Sequence, residues 1–248
     1  MGKKRVGLNV QNTDALLERL QHYYNLSVKV LQAFGGPSVY FHQQAIFAQS
    51  TAFLGDRHIE MIYATLSSWG MHRMGDPKGT KAKMVEFPDF RSSILECRNE
   101  LTALRNERFE KVTPERYGEI LQSLNGVYGQ MKVSISKSTL VAHAKTLAHI
   151  LPHLIPPIDR QYTVRFFSQD ASEFFTKSGK YRLPQVPNGL DAQFGMFVEL
   201  SGKMKTLFDL CDKRILQVNE QGFNTSYPKI VDNLIMAFVK SVKRPSKS

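Results

Sequence analysis

An all-α fold of about nine helices is what this sequence predicts, and three observations predict it. Apolar residues recur at three- and four-residue spacing in stretch after stretch. No segment alternates apolar and polar residues as a half-buried strand would. The breaks between periodic stretches carry glycine, proline or a capping residue where a helix has to stop or start. With 248 residues, 42% hydrophobic and 16 Phe among them, the chain can bury a substantial core, and wholesale disorder is excluded.

From the N-terminus, residues 14–33 place Leu16, Leu17, Leu20, Tyr24, Val28 and Leu31 along one helical stripe. Gly35-Gly36-Pro37-Ser38 breaks it, and Ser38 is the expected cap of a helix over 39–51. A third helix over 57–69 turns Ile59, Ile62, Tyr63 and Leu66 inward and ends at Gly70. Residues 71–83, rich in Gly and basic side chains, read as an exposed loop.

Phe87-Pro88-Asp89-Phe90 opens a helix that runs on past Ile94, Leu95, Leu101 and Leu104. Thr113-Pro114-Glu115-Arg116, a capping hydroxyl followed by proline and charges, starts another that reaches about residue 124. Helices are predicted over 136–150 and 160–175, then a polar connection over 178–187. A long amphipathic stretch covers 191–219 and a terminal helix 227–242, the latter burying Ile230, Leu234 and Phe238 with its charges on a solvated face. No repeat or composition shift divides the chain, so 1–248 reads as a single α-helical domain; two lobes flanking a cleft also fit.

Lys and Arg number 33 against 22 Asp and Glu, a net charge of +11. A protein this basic meets a polyanion, most commonly nucleic acid, unless the charge serves solubility alone. Cys97 and Cys211 have no CxxC neighbour and read as buried thiols of a reducing compartment. No apolar run reaches membrane-span length, and the N-terminus lacks a secretory signal's apolar segment. The expected location is therefore cytoplasmic.

The chemistry concentrates between residues 143 and 163. Leu147, Ile150, Leu151 and Leu154 mark a helix that carries Lys145; Pro152, Pro156 and Pro157 stop it and stiffen the connection to the next one. Asp159 then stands where that next helix needs its N-cap. A lysine and a carboxylate across a rigid turn can face one cleft, a constellation suited to an electrophilic sugar carbon. The plainer alternative has Lys145 at the helix surface and Asp159 as a cap only. Ser136, Lys137 and Ser138 sit at the expected start of the lysine helix, where hydroxyls, a cation and free amides suit a phosphate. His143, His149 and His153 lack the spacing of a metal motif.

This order resembles the helix-hairpin-helix DNA glycosylases. Ala144-Lys145-Thr146 falls where that superfamily's bifunctional members carry a lysine, and Pro157-Ile158-Asp159 matches its Pro-x-Asp segment. The glycine-rich hairpin turn is replaced by Ser134-Ile135-Ser136-Lys137-Ser138. Phe34-Gly35-Gly36-Pro37-Ser38-Val39-Tyr40-Phe41-His42 and the segment around Trp69-Gly70-Met71-His72-Arg73 are similar to phage-defence DNA glycosylases that excise glucosylated hydroxymethylcytosine.

The resemblance implies hydrolysis of an N-glycosidic bond in double-stranded DNA carrying a modified or damaged base. The enzyme would act as a monomer and without a cofactor or metal. Asp159 would stabilise the oxocarbenium-like sugar; Lys145 would support it or attack C1′ as an amine. The base leaves the stack first and enters a pocket, for which Tyr40, His42, Gln43, Trp69, His72 and Arg73 are the candidates. Ser136, Lys137, Ser138 and Arg160 are the candidate DNA contacts. A non-catalytic helical DNA-binding protein and a small-molecule enzyme remain the competing readings.

Overall fold

Among the described residues, the periodic stretches become twelve α-helices joined by turns in the computed structural model. It describes residues 7–32, 36–73, 83–176, 178–219 and 222–243, and only the backbone of residues 30–32 and 73. The helices are α1 (Val10–Glu18), α2 (Leu20–Gln32), α3 (Pro37–Thr51), α4 (Asp56–Ser68), α5 (Phe87–Glu96) and α6 (Arg98–Leu104). Then come α7 (Pro114–Ser123), α8 (Asn125–Gln130), α9 (Leu140–Ile150), α10 (Arg165–Ser168), α11 (Leu190–Leu210) and α12 (Tyr227–Ser241). Among the described residues the only extended pairings are two isolated bridges, Met84 with Ser134 and Phe175 with Tyr181.

The all-α expectation holds, and the extra helices come from breaks that periodicity does not reveal. The first predicted helix starts earlier and breaks at Arg19, whose backbone leaves the helical region at φ −123°, ψ 32°. The fourth breaks at Cys97, φ −95°, ψ 13°. Short α8 has no counterpart among the predicted elements. At α3 the cap is Gly36, held at φ 75° in the left-handed region that glycine tolerates. Ser38 is already inside that helix, its hydroxyl donating to the Ser68 carbonyl at 3.3 Å. Residues 160–175 divide into a π-helical turn (Arg160–Val164), α10 and a short 3₁₀ turn (Ala171–Glu173). The long amphipathic stretch stops at Cys211, whose backbone is extended. In the 71–83 segment Met71–Arg73 forms a 3₁₀ turn with Met71 buried, and 74–82 lie outside the described residues.

Two helices run through the interior. In α12 every residue from Ile230 to Val239 is buried, so the terminal helix is enclosed on all sides by α2, α11, α1, α10 and the π-helical turn. This overturns the solvated charged face expected of it: Lys229 and Asp232 are largely buried and paired at 2.6 Å. In α9 every residue except Lys145 is buried. The sequence pattern suggests one buried face; α9 instead packs against α3, α4 and α11 together.

The start of α9 also differs from expectation. Ser136, Lys137 and Ser138 lie in an irregular turn ahead of the helix, where the Ser138 amide donates to Ser136 Oγ. The amides of Thr139 and Leu140 donate to Gln193 Oε1 at 2.6 and 2.9 Å. The Gln193 amide group in turn donates to the Lys137 carbonyl. A buried side chain from α11 therefore occupies the amides read as a phosphate cradle. Gln193→Ala strands those donors in a dry site and should cost about 2 kcal/mol, read as a lower urea midpoint at unchanged slope.

Candidate functional site

Lys145 is the one side chain of α9 that reaches the surface, and it reaches Asp159. Its Nζ donates to Asp159 Oδ2 at 2.9 Å, with the lysine side chain 14% and the carboxylate 26% exposed. The intervening Pro152, Pro156 and Pro157 are buried and fix the return of the chain. Asp159 caps the π-helical turn as expected: Oδ1 accepts the Gln161 amide at 2.7 Å. Its own amide donates to Thr163 Oγ1 at 3.1 Å, and its carbonyl accepts the Val164 amide at 3.1 Å. Pinned on both sides, the carboxylate cannot swing far. Burial pushes the Asp159 carboxyl up, but the Lys145 ammonium and the bonds from Lys145, Gln161 and Tyr162 outweigh it and hold the acid ionised below its usual range.

Trp69 joins this pair to a cavity. Gly70, at φ 79°, ends α4 and leaves the indole at the helix terminus. Lys145 Nζ stands 5.1 Å from the ring centroid and Lys229 Nζ 6.0 Å, so two ammonium groups share one aromatic system. Beside the indole lie His42 and His149, with ring centroids 5.9 and 5.1 Å away. The cavity is bounded by these three rings with Ile46, Ala148, Pro152, Ile155, Pro157, Thr225, Ser226 and Lys229, and measures about 10 Å³, room for the centre of one water.

The imidazoles are linked. The Leu54 amide donates to His58 Nδ1 at 3.1 Å, and His58 Nε2 donates to the His149 carbonyl at 3.1 Å. His149 Nδ1 donates to the Lys145 carbonyl at 2.7 Å, and His42 Nδ1 lies 3.0 Å from His149 Nε2. His143 stands apart, packed edge-on against Tyr128. Burial pushes His58, His143 and His149 down to about 4, from an ordinary 6.5.

These groups stay neutral in the folded chain while the unfolded chain protonates them near 6.5. Between those limits the unfolded state binds more protons, so stability falls as pH drops from 6.5 toward 4. A single imidazole displaced that far contributes at most about 3 kcal/mol. Urea unfolding at pH 7, 6 and 5 should show the midpoint falling well before the carboxylates titrate.

Of the residues singled out from sequence, Lys145, Asp159, His42 and Trp69 meet in one place. Tyr40 is 53% exposed on α3 and does not line the cavity. Gln43 and His72 do not line it either; His72 Nδ1 donates to the Ser67 carbonyl and tidies the end of α4. The Arg73 side chain lies outside the described residues. Lys137 and Ser138 are exposed, and Arg160, exposed too, donates Nε to the Pro184 carbonyl at 2.6 Å. Sequence reasoning missed Thr225, Ser226, Lys229 and Asp232. The Ser226-Tyr227-Pro228 helix start is readable, but its place opposite α3 and α9 is a product of packing.

Among the described residues no group of three or more His, Cys, Asp and Glu side chains is placed to hold a metal ion. Cys97 and Cys211 are buried thiols, donating to Gln130 Oε1 and to the Leu207 carbonyl. No described helix is long and apolar enough to cross a membrane. Comparison with protein families, with curated proteins and with solved structures finds no match to this chain.

Proposed function

We propose that this chain is a DNA glycosylase that hydrolyses the N-glycosidic bond of a modified base and leaves an abasic site. The observation that carries the reading is the Lys145–Asp159 pair: an ionised carboxylate, fixed by its own backbone cap, held 2.9 Å from the single surface lysine of a buried helix. As a base departs, C1′ gains positive character, and a pinned carboxylate needs no reorganisation to stabilise it. Asp159 can also orient the attacking water. Lys145 Nζ is engaged by Asp159 Oδ2 at 2.9 Å, and in this reading it supports the carboxylate of a hydrolytic route. The net charge of +11 supports a polyanionic substrate.

One observation favours the second reading, a non-catalytic helical DNA-binding protein. The cavity beside Trp69 holds about one water, so a base enters only if the indole and its neighbours move. Abasic-site assays on genomic DNAs of differing modification, glucosylated phage DNA among them, decide between the two. The glycosylase reading expects sites in at least one DNA and no borohydride-trapped adduct. Salt-sensitive DNA binding with no abasic sites in any of them supports the second. A trapped adduct would reassign Lys145 as the nucleophile.

A further inference from the structure

The hydrogen positions in the histidine cluster are set by groups that can only donate or only accept. The Lys145 carbonyl accepts, so His149 Nδ1 carries its hydrogen. A neutral His149 then offers a lone pair at Nε2, and the hydrogen in the 3.0 Å contact belongs to His42 Nδ1. His42 Nε2 is left as a bare acceptor, and it is buried without a partner. Double protonation is opposed first by burial and then by the nearby Lys229 ammonium. Thr225 Oγ1, on the same cavity wall, is likewise buried and unpartnered. Two buried polar atoms without a protein partner, on residues that line one cavity, point to a ligand group there, because buried polar groups are otherwise satisfied.

We propose that the cavity is a donor-reading subsite: it takes the O–H or N–H end of an uncharged ligand substituent in place of one water, with His42 Nε2 as the acceptor that selects it. The volume of about 10 Å³ admits one non-hydrogen polar atom, so the substituent is a single hydroxyl or amino group and the rest of the ligand lies outside. The cost of burying a charge, with Lys229 already on the cavity wall, opposes a cationic donor or a metal ion. A carbonyl or ether oxygen in the same place meets the His42 lone pair and has only the Thr225 hydroxyl to donate to it, so it is held more weakly than a donor that satisfies His42. Thr225 Oγ1 offers the second contact. This subsite makes no use of the reaction at Asp159.

The test uses the full chain with ¹⁵N-labelled histidine and three probes of similar size: benzyl alcohol and aniline, each with a donor, and anisole, with an acceptor alone. In the free protein at neutral pH, His42 Nε2 should show the signature of an unprotonated nitrogen. Benzyl alcohol or aniline should shift it in a saturable manner, and anisole should bind at least ten-fold more weakly. Whichever donor binds better identifies the substituent as hydroxyl or amino. His42→Phe should erase the preference, and His42→Gln, whose amide oxygen can stand near the Nε2 position, should restore it. Asp159→Asn should leave all three affinities unchanged, so loss of base excision and loss of this subsite are separable. A protonated Nε2 in the wild-type chain, or anisole binding as well as the donors, overturns the proposal. Both of those measurements use the wild-type chain and stand even if His42→Phe does not fold.

Discussion

Asp159→Asn should reduce abasic-site formation by about 10³-fold or more while leaving the fold and DNA affinity nearly intact. Asparagine is nearly isosteric and caps a helix as well as aspartate does, so the bond from the Gln161 amide survives. What disappears is the negative charge, together with the partner of Lys145. Loss of a carboxylate raises the net charge, so DNA binding at moderate salt holds or tightens slightly. The measurement pairs an abasic-site time course with anisotropy of a labelled duplex and a thermal melt. Turnover within a few-fold of wild type, in a protein that melts normally, would remove Asp159 from the chemistry and reduce it to a cap.

Phe238→Ala should destabilise the chain by about 3–5 kcal/mol, a large share of a typical total stability. Phe238 is 3% exposed and sits at the centre of an aromatic contact that ties three helices. Its ring stands edge-on to Phe166 of α10 at 5.2 Å and tilted to Tyr23 of α2 at 5.4 Å. Removing it leaves a cavity between elements that cannot close without moving α10. Because α10 continues directly from the turn capped by Asp159, the surviving folded molecules should also lose activity beyond their unfolded fraction. Urea titration gives the first effect. Activity measured well below the unfolding midpoint gives the second, and a loss confined to the unfolded fraction would uncouple the core from the site.

Much of the fold is written in local pattern. The glycine ending α4, the Thr113-Pro114 start of α7 and the start of α12 at residue 227 all depend on backbone chemistry within a few residues, and all are found. The breaks at Arg19 and Cys97 are not readable, because one residue leaving the helical region does not disturb the apolar spacing on either side. The burial of α12 is hidden for a related reason. Lys229, Asp232 and Lys240 look solvated in sequence, and only the packing shows two of them paired inside.

The site divides in the same way. Asp159 as a cap is legible from its place after a proline and before an apolar run. The reach of Lys145 to Asp159 is an expectation that needs the turn's shape. The cavity wall from Thr225 to Lys229 has no local signal, since its neighbours lie some seventy to two hundred residues away in the chain. Gln193, which silences the amides at the start of α9, is likewise invisible without α11 in place.

The chain contains a single tryptophan, and that tryptophan is the indole between the two ammonium groups and the two imidazoles. Its emission, excited at wavelengths tyrosine does not absorb, is therefore a built-in optical probe of this one spot. Opening of the cleft, arrival of a nucleic acid or protonation of a neighbouring ring should each register as a change in intensity or colour, with no label attached and no other residue contributing background.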